Sequence, residues 1–433
     1  MKYYLAIDIG ASSGRLIVGY KKDSEYVLDE IYRFREYLVN ENDDLVWNIE
    51  KIFYEIKKGI KLALKKYPKI ESLSIDTWGC DYVLMNGDKE IFPCYAYRNS
   101  RTKNVIDEVH QLINPKELFK INGCQFQPFN TIYQLYHDKK KGRLKEATDF
   151  LMIPEYLAYK LTGVKMKEYT NASTTGLLDI NKLDYSEEII DKLGFNKKLF
   201  KPLEKSNKVV GDIKKELIYE FGENIKVVLC ESHDTASAVK SLEIKNDTLY
   251  LSSGTWSLLG IKTNLPITKE IAREYNYSNE LGNDYIRFQK NIMGMWIANN
   301  LSKELMCSHS KMIAQAKKSN FFKIFDVNDD MFLSSTDIKK SIKNWFDKNG
   351  KPIPKTNRDY INCVYHSLAY SYKKSIDELS DITKKKFDKI YIIGGGANNT
   401  YLNKLTEKYC GFKVVALPIE ATIIGNLKAQ MGE

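Results

Sequence analysis

The 433-residue chain has seven cysteines, at positions 80, 94, 124, 230, 307, 363 and 410, and no CxxC pair among them. That scatter excludes a paired-cysteine zinc site and argues against a disulfide framework. Several of the thiols sit in apolar surroundings, where cysteine packs as a small hydrophobe. Such usage fits a reducing compartment. Histidine is scarce, with five in the chain, and none joins a cysteine at zinc-binding spacing. No run of about 18 uncharged apolar residues occurs, so no membrane span is predicted. The first apolar run is broken by Asp8 and lacks a small-residue cleavage site, so no signal peptide is predicted either. The expectation is a cytoplasmic protein. There is no GxxxxGK[ST], which excludes a P-loop nucleotide site. The glycine loop, HRD and DFG of protein kinases are missing too, as is HExxH. A basic stripe is also lacking. The net charge is +10, from 66 Lys plus Arg against 56 Asp plus Glu. Its densest runs, Lys139 to Lys145 and Lys384 to Lys386, fall where helix ends or polar loops are expected. A nucleic-acid partner is therefore not expected, whereas small anionic ligands suit the excess.

What is present begins at the first strand and turn, YYLAIDIGASSGRLIVGY. Apolar residues lead in over Tyr3 to Ile7 and lead out over Leu16 to Tyr20, which predicts a hairpin of two strands. Its tip carries Asp8, Gly10, Ala11, Ser12, Ser13, Gly14 and Arg15. The glycines allow a close backbone approach. Backbone N–H groups and two hydroxyls can then face an anion, Arg15 adds positive charge, and Asp8 is placed to hold a divalent cation through water. An ordinary turn would also use Asp and Ser here.

A chain this long usually forms two cores. Glu25 to Phe34 reads as a third strand, Trp47 to Lys66 as an amphipathic helix, and Ser72 to Asp76 as a short buried strand. Helices are predicted near Lys103 to Leu112, Thr131 to Lys140 and Pro154 to Thr162, with Pro154 suited to a first turn. Ile225 to Cys230 reads as a strand running into a helix that starts in ESHDTASAV. The second half repeats the opening: Leu249 to Leu251 enters the small-residue turn SSGTWS, and Leu258 to Ile261 leaves it. A long helix over Tyr360 to Leu379 and a strand over Lys389 to Ile393 ending in GGGANN follow. The boundary falls near Ser241 to Asp247, giving domains over 1–243 and 244–433. Two β-rich halves that open alike predict a duplicated α/β fold, mixed sheets flanked by helices with a cleft between.

Three further segments carry chemistry. In SSGTWS, Gly254 and Thr255 mirror the first tip, and a plain hairpin would look the same. In IIGGGANN, a strand ends in three glycines before a helix, which brings backbone close to a ligand. Asn399 stands where GxGxxG has its last glycine, so an adenosine fits better than a dinucleotide. In ESHDTASAV, Asp234 stands at a strand-to-helix junction, where N-capping is the common reason for an Asp. The alternative is a general base that accepts a hydroxyl proton as that oxygen attacks phosphorus. A helix N-terminus would keep Asp234 ionised, and His233 and Thr235 beside it can bind sugar hydroxyls.

Together these segments resemble the FGGY carbohydrate kinases of the actin and hexokinase superfamily, with its ribonuclease H-like domains. The markers are DIGASSGR, DTWGCDYVL, YRNSRT, GCQFQPFNTIYQLY, EYTNASTTGLLDI, SHDTASAV, YLSSGTWSLLG, KNIMGMW and IGGGANN, spread over nearly the whole chain. The resemblance implies an ATP- and Mg²⁺-dependent kinase with a sugar-binding N-terminal and a nucleotide-binding C-terminal domain. Its C-terminal helix would pack back on the first domain. Ala11, Ser12, Ser13, Gly14, Arg15, Thr255 and Gly395 match ATP-binding positions. Asp8 matches the metal-associated carboxylate, Asp234 the catalytic base, and Gly79, His233, Asp234, Thr235 and Asn291 the sugar contacts. Asn299 departs from a position where relatives can carry Gln as a nucleotide contact. On chemical grounds Trp78, Tyr82 and Arg98 could wall the sugar pocket, with core packing an equal account of Trp78 and Tyr82. The DTWGCDYVL, QPFNTIYQL and NIMGMW stretches point to the branch that phosphorylates the C1 hydroxyl of L-rhamnulose. The alternatives are a kinase for L-fuculose, xylulose, ribulose or glycerol, and a non-catalytic sensor of sugar and nucleotide.

Overall fold

The apolar alternation that opens the chain folds as two antiparallel strands, Tyr4–Ile9 and Gly14–Lys22, with Asp8 opposite Arg15. Leu5, Ile7, Leu16 and Val18 are fully buried on one face, and Ala6 and Ile17 are buried on the other against Ile423 and Leu427, as strands covered on both faces require. Glu25–Phe34 continues the meander antiparallel to the second strand. This is a computed structural model that describes residues 1–332, 335, 337–417 and 420–433. Its contacts divide into two units: Met1–Glu243 with Thr263–Arg287 and Glu420–Glu433, and Ile244–Lys262 with Phe288–Ile419.

The first unit centres on a six-stranded sheet in the order Val209–Asp212, Lys226–Val228, Ser72–Thr77, Tyr4–Ile9, Gly14–Lys22, Glu25–Phe34. Ser72–Thr77 runs parallel to both Tyr4–Ile9 and Lys226–Val228, and the remaining pairs are antiparallel. The Ile49–Lys66 helix covers one face. Its Ile49, Ile52, Ile56, Ile60 and Ala63 are buried at helical spacing, while Asn48 caps its start by accepting from the Lys51 N–H at 2.8 Å. Two elements have no clear trace in the sequence: a small hairpin, Leu38–Glu41 with Asp44–Trp47, and a three-stranded sheet of Tyr82–Asn86, Lys89–Ile91 and Asp149–Met152.

The second unit uses the same plan. Leu249–Ser253 and Trp256–Thr263 form a hairpin, and Lys389–Ile393 lies parallel to its first strand. Lys413–Ala416 extends the sheet in parallel. The Asn357–Thr383 helix buries Tyr360, Ile361, Val364, Leu368 and Tyr372. GGGANN does not run directly into a helix. Gly395–Asn398 is a short 3-10 turn, and the Thr400–Cys410 helix starts after it, capped by the Asn399 side chain accepting from the Leu402 N–H at 3.0 Å.

The last helix, Ala421–Met431, belongs to the first unit. It crosses the Asp234–Lys240 helix at Gly425, where a Cβ would stand 1.8 Å from the Ser237 carbonyl oxygen. Asn426 donates to Asp76 Oδ2 at 2.6 Å, and Gln430 donates to the Leu5 carbonyl at 3.1 Å. Leu427 fills the space over Gly19. No helix of the described residues is long and apolar enough to cross a membrane.

Because the obstacle at Gly425 is backbone, one methyl group must displace the helix. Gly425→Ala is expected to lower stability by about 1–3 kcal/mol, the usual cost of overpacking, read from the denaturant midpoint. An unchanged midpoint would mean that the two helices are not seated this closely.

Candidate active site

In the first unit the chemistry-bearing residues gather at the ends of three neighbouring strands. Asp8 pairs in register with Asp76, Ile9 with Thr77, and Thr77 bridges to His233. The tip of the first hairpin is closed by the Gly10 N–H donating to the Ser13 carbonyl at 3.0 Å and by the Tyr37 hydroxyl donating to the Gly10 carbonyl. Ser12 is exposed and Ala11 and Ser13 are half-buried. Gly14 is required by close approach, since a Cβ there would meet the Phe34 ring at 2.3 Å.

Arg15 is not a free cation awaiting an anion. Its Nε and Nη2 each lie 2.9 Å from Asp8 Oδ2, and its Nη1 lies 2.7 Å from Glu420 Oε2. It therefore orients Asp8. Asp8 in turn acts on its neighbours. Burial first, and the Asp8 charge second, push the fully buried Asp76 carboxyl well above the usual carboxylate range. Asp234 is raised for the same two reasons, with burial the larger and His233 opposing it.

Burial and Asp8 thus work against the helix N-terminus, which is expected to keep Asp234 ionised. The N-cap of the Asp234–Lys240 helix is His233, with Asp234 its first residue, so Asp234 is not the capping residue. Its Oδ1 accepts from the Thr235 hydroxyl at 3.0 Å and lies 3.6 Å from His233 Nε2. Gly79 follows the Ser72–Thr77 strand, and a Cβ there would press on the Thr174 side chain at 2.8 Å. Cys80 next to it adopts a φ of 74°, its N–H donating to Thr174 Oγ1 at 3.1 Å. So constrained a turn places backbone, not side chain, at the mouth of the strand.

Two of the three wall residues turn inward. Trp78 stacks parallel to Tyr37 with centroids 6.3 Å apart and meets Trp47 at 4.2 Å. Tyr82 donates to Asp138 at 2.6 Å and packs edge-on to Phe150. Both are core residues. Arg98 lies with its guanidinium 5.2 Å from the Tyr97 ring centre.

The second unit has its own cluster. The Met295 and Trp296 N–H groups donate to the Gly254 and Thr255 carbonyls at 3.0 and 3.1 Å, so the hairpin tip sits on the start of the Trp296–Glu304 helix. Asn299 lies in the first turn of that helix. Gly394, at a φ of 82°, packs against the Ser253 carbonyl, and a Cβ on Gly396 would overlap Ser253 Oγ at 1.9 Å. A Cβ on Gly395 would meet nothing within 4 Å, so its backbone is open to a ligand. Thr255, Asn299 and Gly395 thus come from one hairpin tip, one helix start and one glycine turn of a single unit. Asn291 lies on the Ile286–Met293 strand of this unit.

The donor set fits a magnesium ion in one way. Among the described residues no group of three or more His, Cys, Asp or Glu could enclose a metal. Asp8 and Asp234 supply hard carboxylate oxygens close enough to act electrostatically on common neighbours. Magnesium keeps most of its waters and needs only one or two carboxylates alongside phosphate oxygens.

Some residues that shape the site carry no motif. Asp81 is fully buried, and its Oδ2 accepts from Trp47 Nε1 at 2.6 Å, Trp78 Nε1 at 2.9 Å and the Tyr97 N–H at 3.0 Å, while Oδ1 accepts from Gln134 at 3.0 Å. Glu168 accepts from the Ser232 hydroxyl at 2.7 Å and from its N–H at 3.1 Å, fixing the residue before His233. Glu280 and Arg287 flank the His233 ring. Asp81 and Glu168 lie inside recognisable stretches, DTWGCDYVL and EYTNASTTGLLDI, and Glu280 and Arg287 in none.

The N-terminal domain of the FGGY family of carbohydrate kinases matches residues 3–240, and its C-terminal domain matches residues 249–432. A rhamnulokinase of Oceanobacillus iheyensis is 40% identical, with 99% of this chain and 92% of the relative covered. A rhamnulokinase of Halalkalibacterium halodurans is 41% identical, covering 99% and 93%. Among solved structures, a gluconate kinase from Lactobacillus acidophilus has a TM-score of 0.81 at 16% identity, covering 99% of this chain and 88% of that one. A xylulose kinase from the same organism has a TM-score of 0.80 at 16% identity, covering 99% and 89%. These two share the fold. With both family domains matched and two strand-turn clusters of the kind described, the chain belongs to the FGGY family of carbohydrate kinases.

Proposed function

We propose that this chain transfers the γ-phosphoryl group of ATP to the C1 hydroxyl of L-rhamnulose, releasing L-rhamnulose 1-phosphate and ADP. The observation that carries the reading is the likeness to proteins named rhamnulokinase, 40 and 41% identical over 99% of this chain. The first-unit geometry supports it. Asp234 takes the C1 hydroxyl proton as the oxygen attacks phosphorus, and His233, Thr235, Gly79 and Asn291 hold the ketose. Ala11, Ser12, Ser13 and Gly14 face the phosphates, Arg15 acts on them through Asp8, and Thr255, Asn299 and Gly395 face the nucleotide. Asp8, oriented by Arg15, would hold magnesium through water, and the ion when bound would neutralise developing phosphate charge.

A general base must be deprotonated before it can act. Burial and Asp8 raise the Asp234 carboxyl, so kcat/KM for the ketose falls as pH drops through that raised value. The acid limb should lie above about 3.9, the ordinary aspartate value. Asp234→Ala should cost at least about 10²-fold in kcat, the low end for a lost general base, with ATP binding retained by calorimetry. Activity within a few-fold of the parent protein would remove Asp234 from this role.

Substrate choice is read from ADP release with MgATP and L-rhamnulose, L-fuculose, D-xylulose, D-ribulose or glycerol. The highest kcat/KM is expected with L-rhamnulose. Preference for another acceptor would keep the kinase and overturn the sugar, and ATP binding without acceptor-dependent ADP would favour a sensor.

A further inference from the structure

Glu168 is fully buried and caps the four-residue helix Tyr169–Ala172, its side chain accepting from the Thr170 N–H at 2.9 Å and the Asn171 N–H at 3.0 Å. Capping accounts for those bonds. It does not account for Ser232, 64 residues on, whose hydroxyl and N–H donate to the same carboxylate at 2.7 and 3.1 Å. The Ser232 carbonyl is taken as well. The Thr77 N–H donates to it at 2.9 Å, and Asn171 Nδ2 lies 3.4 Å away. Every polar group of Ser232 thus has a partner, and the next two residues are His233 and Asp234. Asp234 accepts from Thr235, which moves with it, so its place depends on the backbone that precedes it.

The far end of the same segment grips the Gly79 turn. Thr174 Oγ1 accepts from the Cys80 N–H at 3.1 Å and donates to the Asn171 carbonyl at 2.8 Å. The Thr174 side chain also occupies the space that a Cβ on Gly79 would need. Cys80 stands at a φ of 74°, which a residue other than glycine keeps only where its surroundings enforce it. Asn171 Nδ2 sits between the two turns, 3.5 Å from the Trp78 carbonyl and 3.4 Å from that of Ser232, the residues just before Gly79 and His233. Glu168 to Thr174 therefore spans from one turn to the other and sets their separation. Misplacing a reacting group by about 1 Å can cost about 10²-fold in rate.

We propose that Glu168 and Thr174 are positioning residues at the two ends of one brace. Glu168 places the base Asp234 through Ser232, and Thr174 places the sugar-contacting Gly79 turn through Cys80. The catalytic part of each role rests on the function proposed above.

The test is steady-state kinetics on the full chain with MgATP, using whichever of the five acceptors named above the parent protein prefers, with folding checked by circular dichroism. An ionised carboxylate only accepts, whereas an amide also donates, so Glu168→Gln keeps the shape and turns an N–H toward its donors. It should lower kcat about tenfold, the cost of one charge-assisted hydrogen bond, with both KM values held within about twofold. Ser232→Ala should lower kcat in the same direction. The double variant should be no worse than Glu168→Gln within about twofold, since the two residues share one route. Thr174→Val should instead raise the acceptor KM about fivefold, the cost of a neutral hydrogen bond, with kcat nearly unchanged, and Thr174→Ser should restore it. A folded Glu168→Gln with the parent kcat overturns the proposal, as do multiplying losses in the double variant. An unchanged acceptor KM in Thr174→Val, or no rescue by Thr174→Ser, overturns it equally, and those variants decide even if Glu168→Gln does not fold. A parent protein inactive on every acceptor overturns the proposed function and the brace's catalytic role together, whereas an active parent with indifferent variants overturns the brace alone.

Discussion

Three carboxyl groups crowd the strand ends of the first unit, and most of the local structure answers the repulsion among them. Asp8, Asp76 and Asp234 each lie close enough to another for its charge to be felt. Like charges in a partly dry site cannot all ionise without compensation, and each group has a different answer. Asp8 receives two nitrogens of Arg15. Asp76, with no solvent and the Asn426 amide donating to its Oδ2, is the one most readily protonated. Asp234 has His233 and the Thr235 hydroxyl. One sheet edge thereby presents a carboxylate fixed by an arginine, a buried carboxyl that favours its proton and a carboxylate raised toward the range of a base.

This arrangement ties the ends of the chain to the chemistry. Asn426 reaches Asp76 from the last helix, Glu420 at the start of that helix holds Arg15 at 2.7 Å, and Gly425 lets the helix lie on the one that begins with Asp234. Fewer than fifteen residues at the C-terminus therefore touch the supports of all three carboxyls. Packing and electrostatics act together there: the helix cannot loosen without altering the fields at Asp8 and Asp76.

How much of this is legible in the sequence depends on how local the cause is. Both hairpin tips are visible because glycine and hydroxyl residues between apolar runs have few other uses. The Ile49–Lys66 helix is visible because its isoleucines repeat at helical spacing. The family follows from motifs spread along the whole chain. What stays hidden depends on convergence. Trp47 and Trp78 read as unrelated aromatics until Asp81 takes a hydrogen bond from each. Glu280 and Arg287 lie in a polar segment with no motif, and only the return of Thr263–Arg287 to the first unit sets them against His233. The raised Asp234 escapes for a related reason: a helix start is a local signal, whereas burial and a second carboxylate from another strand are not.

The raising of Asp234 suits the reaction better than the readily ionised group that a helix start suggests. A base is most effective when its pKa lies near the working pH, since a carboxylate that ionises too easily takes a proton weakly. Burial and Asp8 strengthen Asp234 as a base, and His233 limits how far it rises. That limit depends on what the imidazole itself is bound to. The buried pair of Glu280 and Arg287 costs desolvation that hydrophobic residues of the same volume would avoid, so stability alone is a poor reason for it. The pair lies against the His233 ring, beside the base.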